Sequence, residues 1–197
     1  YIQKVAPTFL HEWVLDLESN KVVSEQCLNP NVLVEFPVVK GSKLGQQLSY
    51  SYAIEMSSIN SISNELLSTP DEAVTFDGVV KFAMVDDESS EIKRGDVVDK
   101  FAVPKNWYPV SEPCLVPKLG KSGDGKNEDS YILLMVTNVP DDGRSFEEVA
   151  SEDEDMKSHL LVLDADCLGA GPVSVIELPY SVRYGLHGKF LEWDKMK

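Results

Sequence analysis

Short apolar runs alternate with polar turns along most of the chain. Within the runs, apolar residues often recur at every second position, and β-branched and aromatic residues are frequent, which is typical of strands. A polar stretch at 18–21 follows the first run, and a second run begins at Lys21, so this pair predicts a hairpin. The runs that predict strands are 12–17, 48–56, 78–85, 97–103, 114–116, 131–138, 159–164 and 173–178.

Helical patterns are almost absent. Residues 59–67 place Ile62, Leu66 and Leu67 near one helical face, while 145–149 and 165–168 predict a short turn each. The sequence therefore predicts an all-β fold with few short helices. A sandwich, a barrel and several propeller blades all fit this spacing. Because no repeat of fixed length is visible, periodicity does not choose among them.

The chain is strongly acidic, with a formal net charge of −15 from 33 acidic and 18 basic residues. Such a surface is repelled by phosphate backbones, which argues against nucleic acid as a partner, and also by anionic lipid heads. Much of the excess lies at 147–155, which predicts a solvated loop. No run of eighteen apolar residues occurs, so we expect no membrane-spanning segment, and membrane association of another kind stays open.

Three widely spaced cysteines, Cys27, Cys114 and Cys167, suggest a reducing environment. Their odd number argues against a disulfide framework, and the lack of a CxxC pair argues against a zinc site. We expect them to be small buried apolar residues. We expect an intracellular location in a reducing compartment, either the plastid or the cytoplasm.

The three histidines occupy different settings. His11 lies beside the first predicted strand and His159 at the start of a later one, and neither pattern favours a metal role. His187 lies close to Gly185 and Gly188 among aromatic and aliphatic residues. Glycines allow close backbone approach and unusual φ angles, and apolar neighbours would give a low-dielectric setting. Imidazole is a common metal ligand, but by spacing alone a satisfied core histidine is the more frequent outcome.

The segment 178–190, LPYSVRYGLHGKF, resembles the closing motif of the carotenoid cleavage oxygenases. In that family Leu-Pro is followed by Tyr-Gly-Phe-His-Gly, and here Tyr184, Gly185, His187 and Gly188 match while Leu186 replaces the phenylalanine. Further segments resemble family motifs in the same order: 34–37 with 50–53, then 76–82, 111–117 and 160–165. The resemblance covers nearly the whole chain.

This resemblance implies a fold and a metal. Residues 1–197 would form the C-terminal blades of a seven-bladed β-propeller whose upstream portion is missing. The cofactor would be Fe(II), with His187 as the last of four histidine ligands. Glu112 would orient His187, and Glu35 would orient a histidine that this chain lacks. One departure is Val38, where the family usually has a basic residue after Glu-Phe-Pro.

The implied activity is oxidative cleavage of a conjugated double bond in a carotenoid or apocarotenoid, with dioxygen as co-substrate. One histidine cannot hold iron(II) usefully, so we expect the chain to be inert without an N-terminal part of the same protein or a partner chain. The alternative is an inert oxygenase-like structural or binding subunit of a larger assembly. A propeller interaction module without a cofactor is a third option, which the pairing of Glu112 with His187 disfavours.

Overall fold

The computed structural model describes residues 8–56, 76–120, 128–138, 140, 142, 156–182, 185, 187–188 and 190–191. The regular secondary structure of these residues is β-strand, apart from two 3₁₀ turns at Gly41–Lys43 and Leu168–Ala170. The strands are β1 Leu10–Asp16, β2 Lys21–Asn29, β3 Val34–Val38, β4 Tyr50–Met56, β5 Phe76–Ala83, β6 Val97–Ala102, β7 Trp107–Pro109, β8 Cys114–Pro117, β9 Ser130–Asn138, β10 Lys157–Asp164 and β11 Pro172–Glu177.

The all-β prediction is confirmed, and every predicted strand is present with its ends shifted by at most two residues. Two strands were missed, β3 and β7, because their proline-containing sequences VEFPV and WYP are poor strand patterns. Of the short element predicted at 165–168, residues 165–166 form a turn, and the 3₁₀ turn Leu168–Ala170 begins at its last residue. The helical patterns at 59–67 and 145–149 lie outside the described residues. In the described part of the chain, no helix is long and apolar enough to cross a membrane.

The strands form three sheets. Strands β1 and β2 make a two-stranded hairpin, and β3 to β6 make an antiparallel sheet in chain order. The third sheet has the order β11-β10-β9-β7, and β8 pairs with the same edge of β9 that β7 uses. Most neighbouring strands are consecutive in the chain and antiparallel, so the topology is a series of antiparallel meanders.

The four-stranded sheet lies between the other two and buries both of its faces. One face packs Tyr52, Ile54 and Val79 against apolar residues of β9 and β10. The opposite face packs Val80 and Phe82 with apolar residues of the hairpin. Successive side chains of a strand point to opposite faces, and both faces of this sheet are covered. Strand β5 is therefore buried at almost every position rather than at alternate ones.

The hairpin leaves much apolar surface uncovered. Trp13, Leu15, Leu17, Val22 and Val23 are all exposed, although Leu10 on the same hairpin is buried against the four-stranded sheet. In the described residues the hairpin is thus buried mainly at the end where Leu10 pairs with Asn29.

A buried lysine joins the four-stranded and five-stranded sheets. The ammonium of Lys81, a residue only 5% exposed, donates to the backbone oxygen of Ala165 at 2.9 Å and lies 4.0 Å from the ring centre of Tyr50. The hydroxyl of Tyr52 donates to the same oxygen at 3.1 Å. Burial lowers the pKa of Lys81, although nearby carboxylates act in the opposite direction, and burial raises the pKa of Tyr52.

A second contact joins β6 to the chain just after β10, close to Ala165. The carboxylate of Asp99, in β6, accepts the backbone N–H groups of Leu168 at 2.6 Å and Gly169 at 3.0 Å. These groups begin a 3₁₀ turn and have no partner within it, so the carboxylate satisfies donors that would otherwise be lost. We refer to Lys81, Tyr52, Asp99 and the corner 165–169 that they contact as the polar seam.

The cysteine prediction is partly wrong. All three cysteines are free, but Cys27 and Cys167 are exposed and Cys114 is half-buried. Cys27 lies on the hairpin strand β2, most of whose residues are exposed, and Cys167 lies in the turn after β10. Alternation predicts which face a side chain takes, but it does not predict whether another element covers that face.

We predict that the volume of Lys81, more than its charge, stabilises the seam. Lys81→Ala should lower the free energy of unfolding by about 2–5 kcal/mol, because it leaves a void in a packed interface. Lys81→Met should change it by only about 1 kcal/mol, because Tyr52 still bonds the oxygen of Ala165 and no ammonium is buried. Thermal and denaturant unfolding of the two variants measures the difference. Equal losses for both would show that the charge is essential.

Candidate metal centre

A break in one edge of the five-stranded sheet sets the position of Glu112. Strand β7 pairs with β9 up to Val136, β8 pairs with it from Leu133, and the chain leaves the ladder between them. The N–H of Met135, opposite the break, donates to the hydroxyl of Ser111 at 3.1 Å. The following Pro113 has no N–H to satisfy. The residues Ser-Glu-Pro therefore end one strand segment, and Glu112 lies where the edge is open.

The segment after β11 crosses the sheet to reach this break. The N–H of Val182 donates to the hydroxyl of Ser158 at 2.6 Å, and its carbonyl accepts the hydroxyl of Thr137 at 3.0 Å. These two hydroxyls are buried and lie 2.7 Å apart. Further along, the N–H of Gly185 donates to the carbonyl of Val110 at 2.8 Å. The segment is thus anchored by its backbone before it reaches the candidate site.

The carboxylate of Glu112 contacts the end of this segment at two points. One oxygen accepts the backbone N–H of Gly188 at 2.7 Å, and the other lies 3.3 Å from Nδ1 of His187. The Glu112 side chain is 17% exposed, whereas that of His187 is 76% exposed. A carboxylate on Nδ1 favours the tautomer that carries hydrogen there, which leaves the lone pair on Nε2. None of the described residues forms a hydrogen bond with that Nε2.

An aromatic ring from the neighbouring sheet approaches the same imidazole. The ring of Phe36 lies 5.9 Å from that of His187, at an interplanar angle of 87°. On its other side, Phe36 packs against Phe76 at 5.8 Å and 66°. Phe36 has a positive φ of 52°, and the pairing of β3 with β4 is interrupted between Glu35 and Val38. A bulge therefore directs this ring to the imidazole.

Glu35 has no histidine beside it in the described part of the chain. It lies in β3 opposite Ile54 and is half-buried, and its carboxylate forms no hydrogen bond or ion pair with any described residue. The structure thus brings together two of the three predicted site residues, His187 and Glu112, and leaves Glu35 apart from them.

The other two histidines lie elsewhere, on strands. His11 pairs with Cys27 across the hairpin, and its Nε2 lies 3.3 Å from a carboxylate oxygen of Glu25. His159 is buried in β10 and stacks on Trp107 with ring centres 4.6 Å apart. Among the described residues, no group of three or more His, Cys, Asp or Glu side chains is arranged to hold a metal ion.

Two expectations about the surroundings of His187 are wrong. Neither Gly185 nor Gly188 has a left-handed φ, and within the described residues a Cβ at Gly188 would meet nothing within 4 Å, while one at Gly185 would make an ordinary contact of 3.5 Å. Nor is His187 enclosed by apolar residues, since its side chain is largely exposed. The segment is instead held by its backbone hydrogen bonds, which a sequence motif does not reveal.

Sequence reasoning missed the supporting residues of the site. Ser111, Thr137 and Ser158 place hydroxyls that bond to backbone groups, and Phe36 supplies the edge-on ring. The available signal was a small hydroxyl residue, Thr137 or Ser158, within a largely apolar strand, because a buried polar group needs a partner. No comparable signal identified Phe36, because its orientation depends on an irregular backbone.

Residues 2–192 match the family described as "Retinal pigment epithelial membrane protein". The chain belongs to this family.

Its relatives include the lignostilbene-α,β-dioxygenase isozyme III of Sphingomonas paucimobilis, 27% identical over 97% of this chain and 33% of that protein. The carotenoid 9,10(9′,10′)-cleavage dioxygenase 1 of Pisum sativum is 26% identical over 83% of this chain and 26% of that protein. The isoeugenol monooxygenase of Pseudomonas putida is 35% identical, but over only 40% of this chain and 13% of that protein. The chain thus spans a third or less of the length of these relatives.

Solved structures of the carotenoid oxygenase family show the same fold. A cobalt-substituted apocarotenoid oxygenase of Synechocystis matches with a TM-score of 0.63 and 19% identity, over 95% of this chain and 31% of that one. The lignostilbene dioxygenase of Pseudomonas brassicacearum matches with a TM-score of 0.59 and 22% identity, over 92% of this chain and 32% of that one. These are β-propeller enzymes, so the expectation of propeller blades is confirmed. The three stacked sheets are part of such a propeller.

We predict that Glu112 holds the segment 185–191 in place. Glu112→Ala removes the acceptor of the Gly188 N–H, and hydrogen bonds to charged groups contribute about 1.5–3 kcal/mol, so amide exchange there should accelerate by about 10-fold or more. Glu112→Gln keeps one acceptor oxygen and should have a smaller effect. Hydrogen–deuterium exchange of peptides covering the segment measures this. Glu55→Ala, which removes an ion pair with Lys100 at 3.4 Å, is the control and should leave the segment unchanged. Unchanged exchange in Glu112→Ala would contradict the role.

Proposed function

We propose that this chain contributes His187 as one ligand of a non-haem iron(II) centre in a dioxygenase, with Glu112 supporting it. The observation that carries the proposal is the arrangement of the imidazole: Nδ1 faces a carboxylate, while Nε2 is free of hydrogen bonds with the described residues. Metal-binding histidines almost always have such a partner on the second nitrogen. Membership of the carotenoid oxygenase family, several of whose members are named as dioxygenases, supports the reaction class.

The donor set suits iron(II) in kind but not in number. Imidazole is a good ligand for iron, yet one imidazole alone gives little affinity. We infer that the remaining ligands lie in an N-terminal part of the same protein or in a partner chain, since the relatives are at least three times as long. In this proposal residues 1–197 are the C-terminal part of a single propeller domain. Glu35 would then orient a histidine from the missing part.

The residues of this chain would act by fixing the position of His187, the proposed iron ligand. Bound iron would activate dioxygen beside the double bond of the substrate. Glu112 would keep the His187 ring in one tautomer and one orientation, while the Gly188 N–H would keep the carboxylate from turning away. The backbone anchors at Val182 and Gly185 would fix the segment relative to the sheet. None of these roles requires His187 or Glu112 to exchange a proton during the reaction.

For the substrate we propose a carotenoid or apocarotenoid, cleaved oxidatively at a conjugated double bond. The plant relatives named for carotenoid 9,10-cleavage support this choice. A second candidate is an aryl alkene, because other relatives are named for lignostilbene and isoeugenol. Incubating the complete, iron-loaded protein with an apocarotenoid and with a hydroxylated stilbene, and identifying the carbonyl products, distinguishes the two classes.

The alternative remains a propeller part without catalysis. A complete assembly that binds no iron, and whose substrates are recovered intact, would favour an inert structural or binding subunit. The proposed setting is an intracellular, reducing compartment, the plastid or the cytoplasm, and the free thiols of Cys27, Cys114 and Cys167 are compatible with it.

We predict that His187→Ala removes iron and activity together. In the complete protein, the iron content measured by elemental analysis should fall by at least about 10-fold, the low end of what supporting residues alone contribute to metal affinity. His11→Ala is a matched control, because His11 also lies 3.3 Å from a carboxylate but on the distant hairpin strand β1. Iron content should be unaffected there. Full iron content in His187→Ala would exclude His187 as a ligand.

A further inference from the structure

The backbone at Phe36 is unusual for an aromatic residue. Its φ is +52°, in the left-handed region, and it precedes Pro37, which itself restricts the residue before it. Glycine and asparagine adopt this region readily, but an aromatic residue does so only where its surroundings hold it there. Strained residues of this kind concentrate at sites where a side chain must be placed accurately.

The bulge at Phe36 gives its ring a specific position. Because the pairing with β4 stops between Glu35 and Val38, the ring is released from the regular alternation of the strand. It contacts the rings of both Phe76 and His187, and it meets the imidazole almost perpendicularly. Edge-to-face packing is the favoured geometry for two rings, because the positive edge of one meets the negative face of the other.

Glu112 alone does not fix the His187 ring. Its carboxylate holds one point, Nδ1, at a rather long 3.3 Å, and the ring can still tilt about that contact. Phe36 restricts this tilt from a different direction, because it belongs to the four-stranded sheet whereas Glu112 belongs to the five-stranded one. The two contacts together define the plane of the ring and therefore the direction of Nε2.

We propose that Phe36 is a positioning residue for His187, and that its left-handed backbone places the ring that sets the plane of the imidazole. The inference rests on the proposed function, in which Nε2 of His187 binds the metal. It assigns Phe36 no contact with the metal. The Phe36 ring acts only through His187, so its loss should alter the metal site while leaving the sheet intact.

The test compares two leucine substitutions in the complete protein. Phe36→Leu removes the ring that meets His187, and Phe101→Leu removes a buried ring of β6 that belongs to the same apolar cluster. The probes are iron(II) affinity, by competition with a chelator, and the absorption spectrum of the cobalt(II)-substituted protein, which reports ligand geometry. Phe36→Leu should weaken iron binding by about 10-fold, the lower range for residues that orient a ligand, and should shift the cobalt spectrum.

Two further variants complete the design. Phe36→Tyr keeps an aromatic edge and should restore both readouts. Phe36→Gly accepts the left-handed φ without strain, so it should fold even if leucine does not, and it should show the full loss of metal affinity. In Phe101→Leu the unfolding temperature should fall while metal affinity and cobalt spectrum stay unchanged.

The outcomes separate this inference from the proposed function. If Phe36→Leu and Phe36→Gly leave affinity and spectrum unchanged, or if Phe101→Leu alters them equally, Phe36 is only a core residue and the inference is wrong. If His187→Ala itself retains full metal affinity, the proposed function fails first. Loss of metal in His187→Ala with none in the Phe36 variants overturns the inference alone.

Discussion

The candidate site depends on backbone groups left open where one sheet edge is interrupted. Between β7 and β8 the chain leaves β9, and each exposed donor or acceptor must find another partner. The hydroxyl of Ser111 accepts the N–H of Met135 in β9. The carbonyl of Val110 and the carboxylate of Glu112 accept N–H groups of the C-terminal segment. The interruption is therefore what attaches this segment, and with it His187, to the sheet.

The site also depends on the packing of two sheets against each other. Glu112 and the His187 segment are attached to the five-stranded sheet, while Phe36 comes from the four-stranded one. A slide of one sheet over the other would separate the two rings without breaking any bond inside either sheet. Lys81 and its partners in the polar seam oppose such a slide, because any shift would leave buried polar groups without partners.

Sequence patterns predicted the strands well, because alternation and β-branched residues report directly on burial. They did not predict the bulge at Phe36 or the break that holds Glu112, because both depend on proline-containing segments that pair irregularly. The pairing of His187 with Glu112 was reached through a resemblance, since 75 residues separate them. The exposure of Cys27 and of the His187 ring was missed because strand alternation and sequence motifs do not show whether another element covers a side chain.

The polar seam has a consequence for dividing the polypeptide into complementing fragments. A cut in the link 103–106 between β6 and β7 would leave the ammonium of Lys81 on one fragment and its acceptor, Ala165, on the other. Water would bind the polar groups of the seam on each separate fragment. Reassembly would have to remove that water from several polar groups at once. Only a correctly aligned partner would compensate that cost. Fragments divided there should therefore discriminate strongly against halves of related propellers.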